Sequence, residues 1–279
     1  MKVSVIIPVY NEANYITSCL KSLEKQTLQD FEIIVVDDGS SDGTEKRVKD
    51  FMLKSSNLKL LTQNHMGAGA ARNLGASVAL GDILVFVDGD MTFEKHFLKN
   101  LVRPIVGGKT NGTFSNMEYV ANWDNRWSRC FNINEGWLPK RRHPKNYPST
   151  QKVFRAILRS EFIKVSGFTP GGYTDDYSLS DKLGYLASNV PNAIFYHKNP
   201  ETLSEVFGQA KWIARRSYKF GYFGMGITLI RTSLPFSLII GTVKALLNKT
   251  SLFIVFKIVY DAGIFFGILH YVISGRGAK

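Results

Sequence analysis

The sequence predicts an α/β fold, a mostly parallel sheet flanked by helices, followed by an apolar helical hairpin. Three observations carry this. Branched apolar runs alternate with amphipathic stretches through roughly the first third of the chain, the spacing of parallel strands joined by right-handed crossovers. Two of these runs end abruptly in carboxylates beside a glycine, in Asp37-Asp38-Gly39 and Asp88-Gly89-Asp90. From about Gly224 the composition turns apolar.

The elements follow in order. Val3–Val9 reads as a first strand; it is too short for the apolar region of a signal peptide, and Asn11-Glu12 follows at once. Asn11 is placed to cap a helix from Glu12 to about Thr27, with Ile16, Leu20 and Leu23 on one face and Cys19 beside them. Phe31–Val36 is the second strand, Asp42–Leu53 a helix, and Leu58–Leu61 the third strand. Gly67–Leu80 reads as a helix of small residues and Ile83–Val87 as the fourth strand. Later, Lys152–Leu158 is strand-like and Ser160–Val165 a short helix.

Strands buried on both faces present their carboxyl ends at the sheet edge where α/β proteins bind ligands. If strand geometry persists, Asp88 and Asp90 point to one side. A divalent ion with a nucleotide diphosphate fits there, since Mg²⁺ takes one or two carboxylates plus phosphate oxygens. Taken singly, each motif is equally well a surface turn. Gly67-Ala-Gly-Ala-Ala-Arg72 starts like a dinucleotide fingerprint, but Arg72 stands where the third glycine belongs and the segment follows a later strand. Its small residues let a helix approach the sheet or a ligand, and Arg72 either meets a phosphate or base or is a solvated helix arginine.

The chain has 279 residues, 44% of them hydrophobic, and a net charge of +12. That charge suits an anionic partner or simply solubility. Cys19 and Cys130 are the two cysteines, without disulfide or metal-ligand spacing, which points to a reducing compartment.

Val5-Ile-Ile-Pro-Val-Tyr-Asn-Glu12, Val36–Thr44, Asn64–Asn73 and Phe86–Asp90, with Gly167-Phe168 and Thr174-Asp-Asp176, resemble in order and spacing the family 2 glycosyltransferases of the GT-A nucleotide-sugar fold, over roughly residues 3 to 220. The resemblance implies an inverting, metal-dependent transferase, of the hexosyltransferase class, that uses a nucleoside diphosphate sugar and Mg²⁺ or Mn²⁺. It implies that Pro8, Tyr10 and Glu12 line the base and ribose site, that Asp37 or Asp38 hydrogen-bonds the base, and that Arg72 contacts base or diphosphate. Asp88 would approach ribose or metal, Asp90 would bind the metal, and His197 would join that site. Asp176 falls at the catalytic base. The usual Glu-Asp reads Asp175-Asp176 here, which leaves the choice of base open.

Trp123, Trp127 and Trp137, with Arg126 and Arg129, suit sugar rings and anions, or else are core aromatics. Pro139–Pro148 is a basic, proline-punctuated segment, a solvated loop or a lid. Gln209-Ala-Lys-Trp212 partly resembles the Gln-x-x-Arg-Trp signature of processive synthases, but the arginine is missing, which argues for one sugar per binding event. Trp212, Arg215 and Arg216 are candidate contacts for acceptor or phosphate, or a solvated basic face. Leu234–Leu247 is too short to span a bilayer alone, whereas Ser251–Ile273 is long enough but carries Lys257 and Asp261 near its middle. One turn apart, they could pair.

The expected organisation is a catalytic domain over 1–223, with a nucleotide-binding half (1–105) and an acceptor half (106–223), and a membrane-associated tail over 224–279. The acceptor would be a lipid phosphate, lipid-linked saccharide or glycolipid at the cytoplasmic face of the cell membrane. The tail could instead form an oligomer interface. A sugar-nucleotide nucleotidyltransferase would need a glycine-rich basic loop after the first strand, where Pro8–Glu12 stands. A non-catalytic basic protein binding membrane or nucleic acid leaves the strand-end carboxylates unexplained, so no nucleic-acid partner is expected.

Overall fold

The computed structural model describes residues 1–170, 175–216 and 218–274. The chain forms two compact units, Met1–Tyr119 with Asn146–His197, and Val120–Lys145 with Lys198 onward. This line of division differs from one at residue 223.

In the first unit β1 (Val3–Val9), α1 (Ile16–Glu24), β2 (Phe31–Asp37), α2 (Thr44–Met52), β3 (Leu58–Thr62), α3 (Ala68–Ser77) and β4 (Ile83–Phe86) alternate. β5 (Met91–Phe93), α4 (Phe97–Val106), β6 (Gly112–Phe114) and β7 (Glu118–Val120) follow. After α5 (Arg126–Glu135), which belongs to the second unit, come β8 (Thr150–Gln151), β9 (Ala156–Leu158), α6 (Arg159–Lys164), a 3-10 turn (Asp175–Tyr177), α7 (Ser178–Leu183), β10 (Ala187–Asn189) and β11 (Phe195–His197). The large sheet runs β3-β2-β1-β4-β9-β6-β10-β8. β1, β2, β3 and β4 are parallel, β9 is antiparallel to β4 and β6, and β10 is parallel to β6.

Alternation along the strands divides the core. Val3, Val5, Ile7 and Val35 meet Ile16, Cys19, Leu20 and Leu23 of α1 on one face, and Ile6, Ile34 and Val36 meet Ala71 and Ala76 of α3 on the other. Both faces are covered, so β1 and β2 are buried throughout. The chain order reverses between β1 and β4, which opens a crevice at their carboxyl ends. A second sheet, β5-β11-β7, lies after that edge, with His197 opposite Met91.

Two expectations change. Asn11 does not cap α1. Its φ is +56° and its Oδ1 accepts from Ser41 N, so it ties the loop after β1 to the loop after β2, and α1 starts at Ile16. The Lys152–Leu158 segment is a strand only over β9, because it pairs antiparallel between β4 and β6.

In the second unit, Asn125 Oδ1 caps α5 through Trp127 N and Ser128 N. α8 (Leu203–Ile213), α9 (Gly221–Arg231), α10 (Leu234–Leu247) and α11 (Phe253–Ser274) follow. Trp127 and Trp137 pack around Cys130, Phe131, Val206, Phe253 and Phe256, as core aromatics. The apolar tail does form a hairpin, α10 against α11, and α11 packs along α8 as well. Lys257 Nζ donates to Asp261 Oδ1 at 2.6 Å, and Ser237 Oγ donates to Asp261 Oδ2 at 2.7 Å. α11 is long and apolar enough to cross a membrane, and α9 and α10 together form a bent pair at 63° that passes the same test of length and composition.

Candidate active site

Loops after β1, β2 and β4 carry the acids to one sheet edge. Pro8 is buried inside β1, and Tyr10 stacks on His65 with ring centroids 4.0 Å apart. Asp37 accepts from Ser40 N at 3.0 Å. Asp38 is enclosed by donors: Gln63 Nε2 at 2.6 Å, Met66 N and Gly67 N at 2.8 Å, and His65 Nδ1 at 2.9 Å. It therefore shapes the loop that launches α3.

α3 lies close against the sheet because it is built of small residues. A Cβ on Gly75 would stand 2.6 Å from Ile6 Cγ2, and one on Gly69 2.5 Å from Asp175 Oδ2. This closeness buries Arg72, so it is not a solvated helix arginine. Arg72 Nη2 donates to Asp88 Oδ1 at 2.9 Å and Nη1 pairs with Asp176 Oδ1. Arg155, just before β9, the strand beside β4, donates to Asp88 Oδ2 at 3.2 Å. Burial alone would raise the Asp88 pKa, but the Arg155 and Arg72 guanidiniums outweigh it and hold the carboxyl well below the usual range.

The second acidic motif reaches Arg72 through a local anchor. Asn73 Nδ2 donates to Phe168 O at 2.8 Å, and Phe168 N to Asn73 Oδ1 at 2.9 Å. Asp175 is buried and accepts from Gly69 N at 3.1 Å, whereas Asp176 faces Arg72. Thr174 lies outside the described residues.

Asp90 belongs to a different group. Strand geometry ends at Phe86, and a turn closes from Asp88 O to Met91 N. Asp88 and Asp90 thus take different partners instead of pointing one way. Gly89 permits this turn: a Cβ there would stand 2.9 Å from Val9 Cγ1 and 3.6 Å from Glu12 Cβ. The β5-β11-β7 ladder then sets Asp90 Oδ2 2.9 Å from His197 Nε2, and Glu118 Oε1 2.8 Å from His197 Nδ1. Burial first, then the Asp90 and Asp88 carboxylates, push the Glu12 carboxyl up to about 8.

Among the described residues, no three His, Cys, Asp or Glu side chains converge to hold a metal ion. The donor set still suits a hard divalent cation. Asp90 and His197 adjoin, and Glu12 keeps a buried oxygen, Oε2, without a hydrogen-bond partner.

Trp212 ends α8 with Arg215 and Arg216 just beyond, all in the second unit; Trp212 and Arg216 are exposed and the Arg215 Nε is buried without a partner. Sequence reasoning missed Arg155, Glu118, His65 and Asn73. An arginine flanked by Phe154 and Ala156 inside a predicted strand was a signal for Arg155. Glu118 had none, because its partner comes from a strand pairing remote in sequence.

Known proteins resemble this chain in sequence and in fold. Glycosyltransferase AglE of Haloferax volcanii is 40% identical over 121 residues, 42% of this chain and 40% of that protein. The chain spans 15–40% of the length of the curated relatives it matches. The mannosyltransferase PcManGT from Pyrobaculum calidifontis, solved with GDP-Man and Mn²⁺, superposes with a TM-score of 0.60 at 18% identity, covering 94% of this chain and 86% of that one. S. aureus TarS 1-349, solved with UDP-GlcNAc, gives 0.57 at 19% identity, covering 100% and 93%. These structures share the fold, the GT-A-like α/β arrangement. Residues 4–166, more than half of the chain, match the sequence model of Glycosyl transferase family 2, and the chain belongs to that family.

Proposed function

We propose that this chain is an inverting transferase that moves a sugar, of the hexose class, from a nucleoside diphosphate to a membrane-associated acceptor: a lipid phosphate, a lipid-linked saccharide or a glycolipid. The observation that carries the reading is the single buried guanidinium of Arg72 shared by Asp88 and Asp176 at the carboxyl edge of the sheet. It joins a group able to hold diphosphate to a carboxylate able to take a proton.

In direct displacement the acceptor oxygen bonds to the anomeric carbon as the bond to the diphosphate oxygen breaks, which inverts that centre. For a hydroxyl acceptor we assign the proton to Asp176, which stays open to an acceptor with its side chain 39% exposed, whereas Asp175 is buried. Arg72 and Arg155 favour the negative charge that grows on the leaving diphosphate. Asp90 and His197 would hold Mg²⁺ or Mn²⁺, with Asp88 toward the same ion or the ribose, and the ion would supply Lewis-acid stabilisation of that leaving group. Pro8, Tyr10 and Glu12 are assigned to base and ribose. Asp37 and Asp38, both bonded within their own loops, would act on the base through the loop they shape. Trp212, Arg215 and Arg216 are proposed acceptor contacts. The relatives solved with GDP-Man and UDP-GlcNAc support a nucleotide-sugar donor of either base. The apolar C-terminal helices support membrane association, and we assign the seat to the cytoplasmic face.

Isothermal titration with UDP and GDP, with and without Mn²⁺, tests the donor site. Wild type should bind one of them in an ion-dependent manner, and Asp90→Asn should lose that dependence. Equal binding with and without the ion in both proteins would remove the metal assignment.

A further inference from the structure

α11 has the length and composition of a membrane span, 22 residues with a mean hydropathy of 1.7. Its packing against α8 is incompatible with crossing. Gly263 lies at the middle of α11, and a Cβ there would stand 2.6 Å from the Phe207 carbonyl oxygen, 2.8 Å from Ala210 Cβ and 3.3 Å from Lys211 N. One turn later, Gly267 is pressed in the same way on the Lys211 carbonyl and Ala214. The Phe207 and Phe266 rings meet with centroids 6.1 Å apart. The central turns of α11 are therefore locked along α8, backbone to backbone.

α8 is no membrane helix. It has 11 residues, about half of what a bilayer needs. Its outer side presents Ser204, Glu205 and Lys211 to solvent. Were α11 to span, its midpoint would set the bilayer midplane at Gly263, and Glu205 and Lys211 would be carried into hydrocarbon facing lipid. Charged groups in that position are strongly disfavoured. Asp261 and Lys257 do not restore a span, since they pair with each other and with Ser237 inside the helical cluster.

From Arg215 onward the described surface of this unit is apolar and basic together. Tyr222 and Phe223 are 81% and 72% exposed, Leu246 and Leu247 75% and 77%, and Ile273 77%. Exposed Lys219, Arg231 and Lys249 lie among them. From Arg215 to Ser274 the chain holds seven Lys and Arg against one acid, Asp261, which is buried. Apolar side chains interleaved with an excess of cations match a leaflet with anionic headgroups.

We propose that α8 to α11 form a monotopic seat: the exposed sides of α9, α10 and α11 enter one leaflet of an anionic bilayer, and α11 begins and ends on the same side of it. The inference rests on the membrane-associated reading above, and the test separates the two. Ser251→Cys, before α11, and Ser274→Cys, at its end, are made in the full chain, with Lys211→Cys and Ser204→Cys on α8 as second probes. Cys19 and Cys130 are buried, so wild type measures the background. A membrane-impermeant maleimide is applied to spheroplasts of a bacterial expression host and to inverted vesicles from it. All four variants should label in inverted vesicles as they do in detergent, and none in spheroplasts. Labelling of Ser251→Cys and Ser274→Cys from opposite faces, or protection of Lys211→Cys and Ser204→Cys by lipid, overturns the monotopic seat while leaving membrane association standing. Recovery of the protein as a defined oligomer in a high-salt supernatant without detergent overturns both.

Discussion

Two groups of carboxylates stand at the same sheet edge, and their electrostatics are opposite. Asp88 and Asp176 share the buried guanidinium of Arg72, and Asp88 also pairs with the half-buried Arg155, in a set whose formal charges cancel. Among the described residues, Glu12 and Asp90 have one histidine near them, itself shared with Glu118, and no guanidinium ion pair. Asp88 is accordingly held below the ordinary carboxylate range, while Glu12 is pushed to about 8. The first group is complete as folded. The second carries an excess of acid that a cation would relieve. A protein has no folding reason to gather Glu12, Asp88 and Asp90, because like charges in a half-buried place cost stability. The difference therefore marks where the fold provides for anions, at the arginines, and where it provides for a cation, at Glu12, Asp90 and His197.

Breaking the balanced group should have the largest effect. Asp176→Asn should lower the rate of transfer to a hydroxyl acceptor by about 10²–10⁴-fold, the ordinary contribution of a positioned base, with donor affinity nearly unchanged. A lipid phosphate is already largely ionised at neutral pH, so the same variant should lose far less with that acceptor. Rates at saturating donor with each acceptor class separate these outcomes, and full activity with a hydroxyl acceptor would remove the base assignment. Arg72→Met should be next. It leaves two carboxylates without their shared partner, and breaking a buried pair costs roughly 3–5 kcal/mol. Asp88 and Asp176 side chains keep 30% and 39% exposure, so the low end, about 3 kcal/mol, is expected in urea unfolding. Arg72→Lys should not restore it, since one ammonium does not present the fork that reaches both acids. If Arg72→Met unfolds at the wild-type midpoint, the group is not the structural unit described.

Much of this was legible in the chain, and the failures have physical causes. β1 is found at the bounds its apolar run predicts, because burial writes itself into consecutive residues, and α10 fills its apolar segment although its large apolar side chains are mostly exposed. Asn11 reads as a cap and is not one, since its side chain is bound by Ser41 of another loop. The acids, Arg72 and His197 stand out by motif, but their grouping does not. Whether Asp88 sides with Asp90 or with Arg72 depends on where β4 stops. Arg155 enters just before β9 and Glu118 on β7, whose neighbours β4 and β11 are remote in sequence, pairings that no local spacing encodes.

The smallest effect sharpens the comparison from the acid-rich side. The Glu12 pKa is raised in the fold, from 4.5 to about 8, chiefly by burial and then by Asp90 and Asp88. Between these values the folded state holds a proton that the unfolded chain has released, so stability falls as pH rises through that window and levels off above it. Glu12→Gln cannot ionise, and it should lose this slope. Its stability relative to wild type should therefore grow with pH from about 5 to about 8, and the two curves should run parallel beyond. Asp90→Asn should weaken the slope in wild-type Glu12 background by removing the larger carboxylate repulsion, whereas Asp181→Asn, at an exposed position on α7, should not. Mn²⁺ should act in the same direction as the substitutions if the cation enters here, since positive charge beside Glu12 favours its ionised form. Unfolding midpoints measured across that pH range, with and without Mn²⁺, decide the matter: identical pH profiles for wild type and Glu12→Gln would mean that Glu12 ionises freely and that the acid-rich group is no poorer in positive charge than the arginine-balanced one.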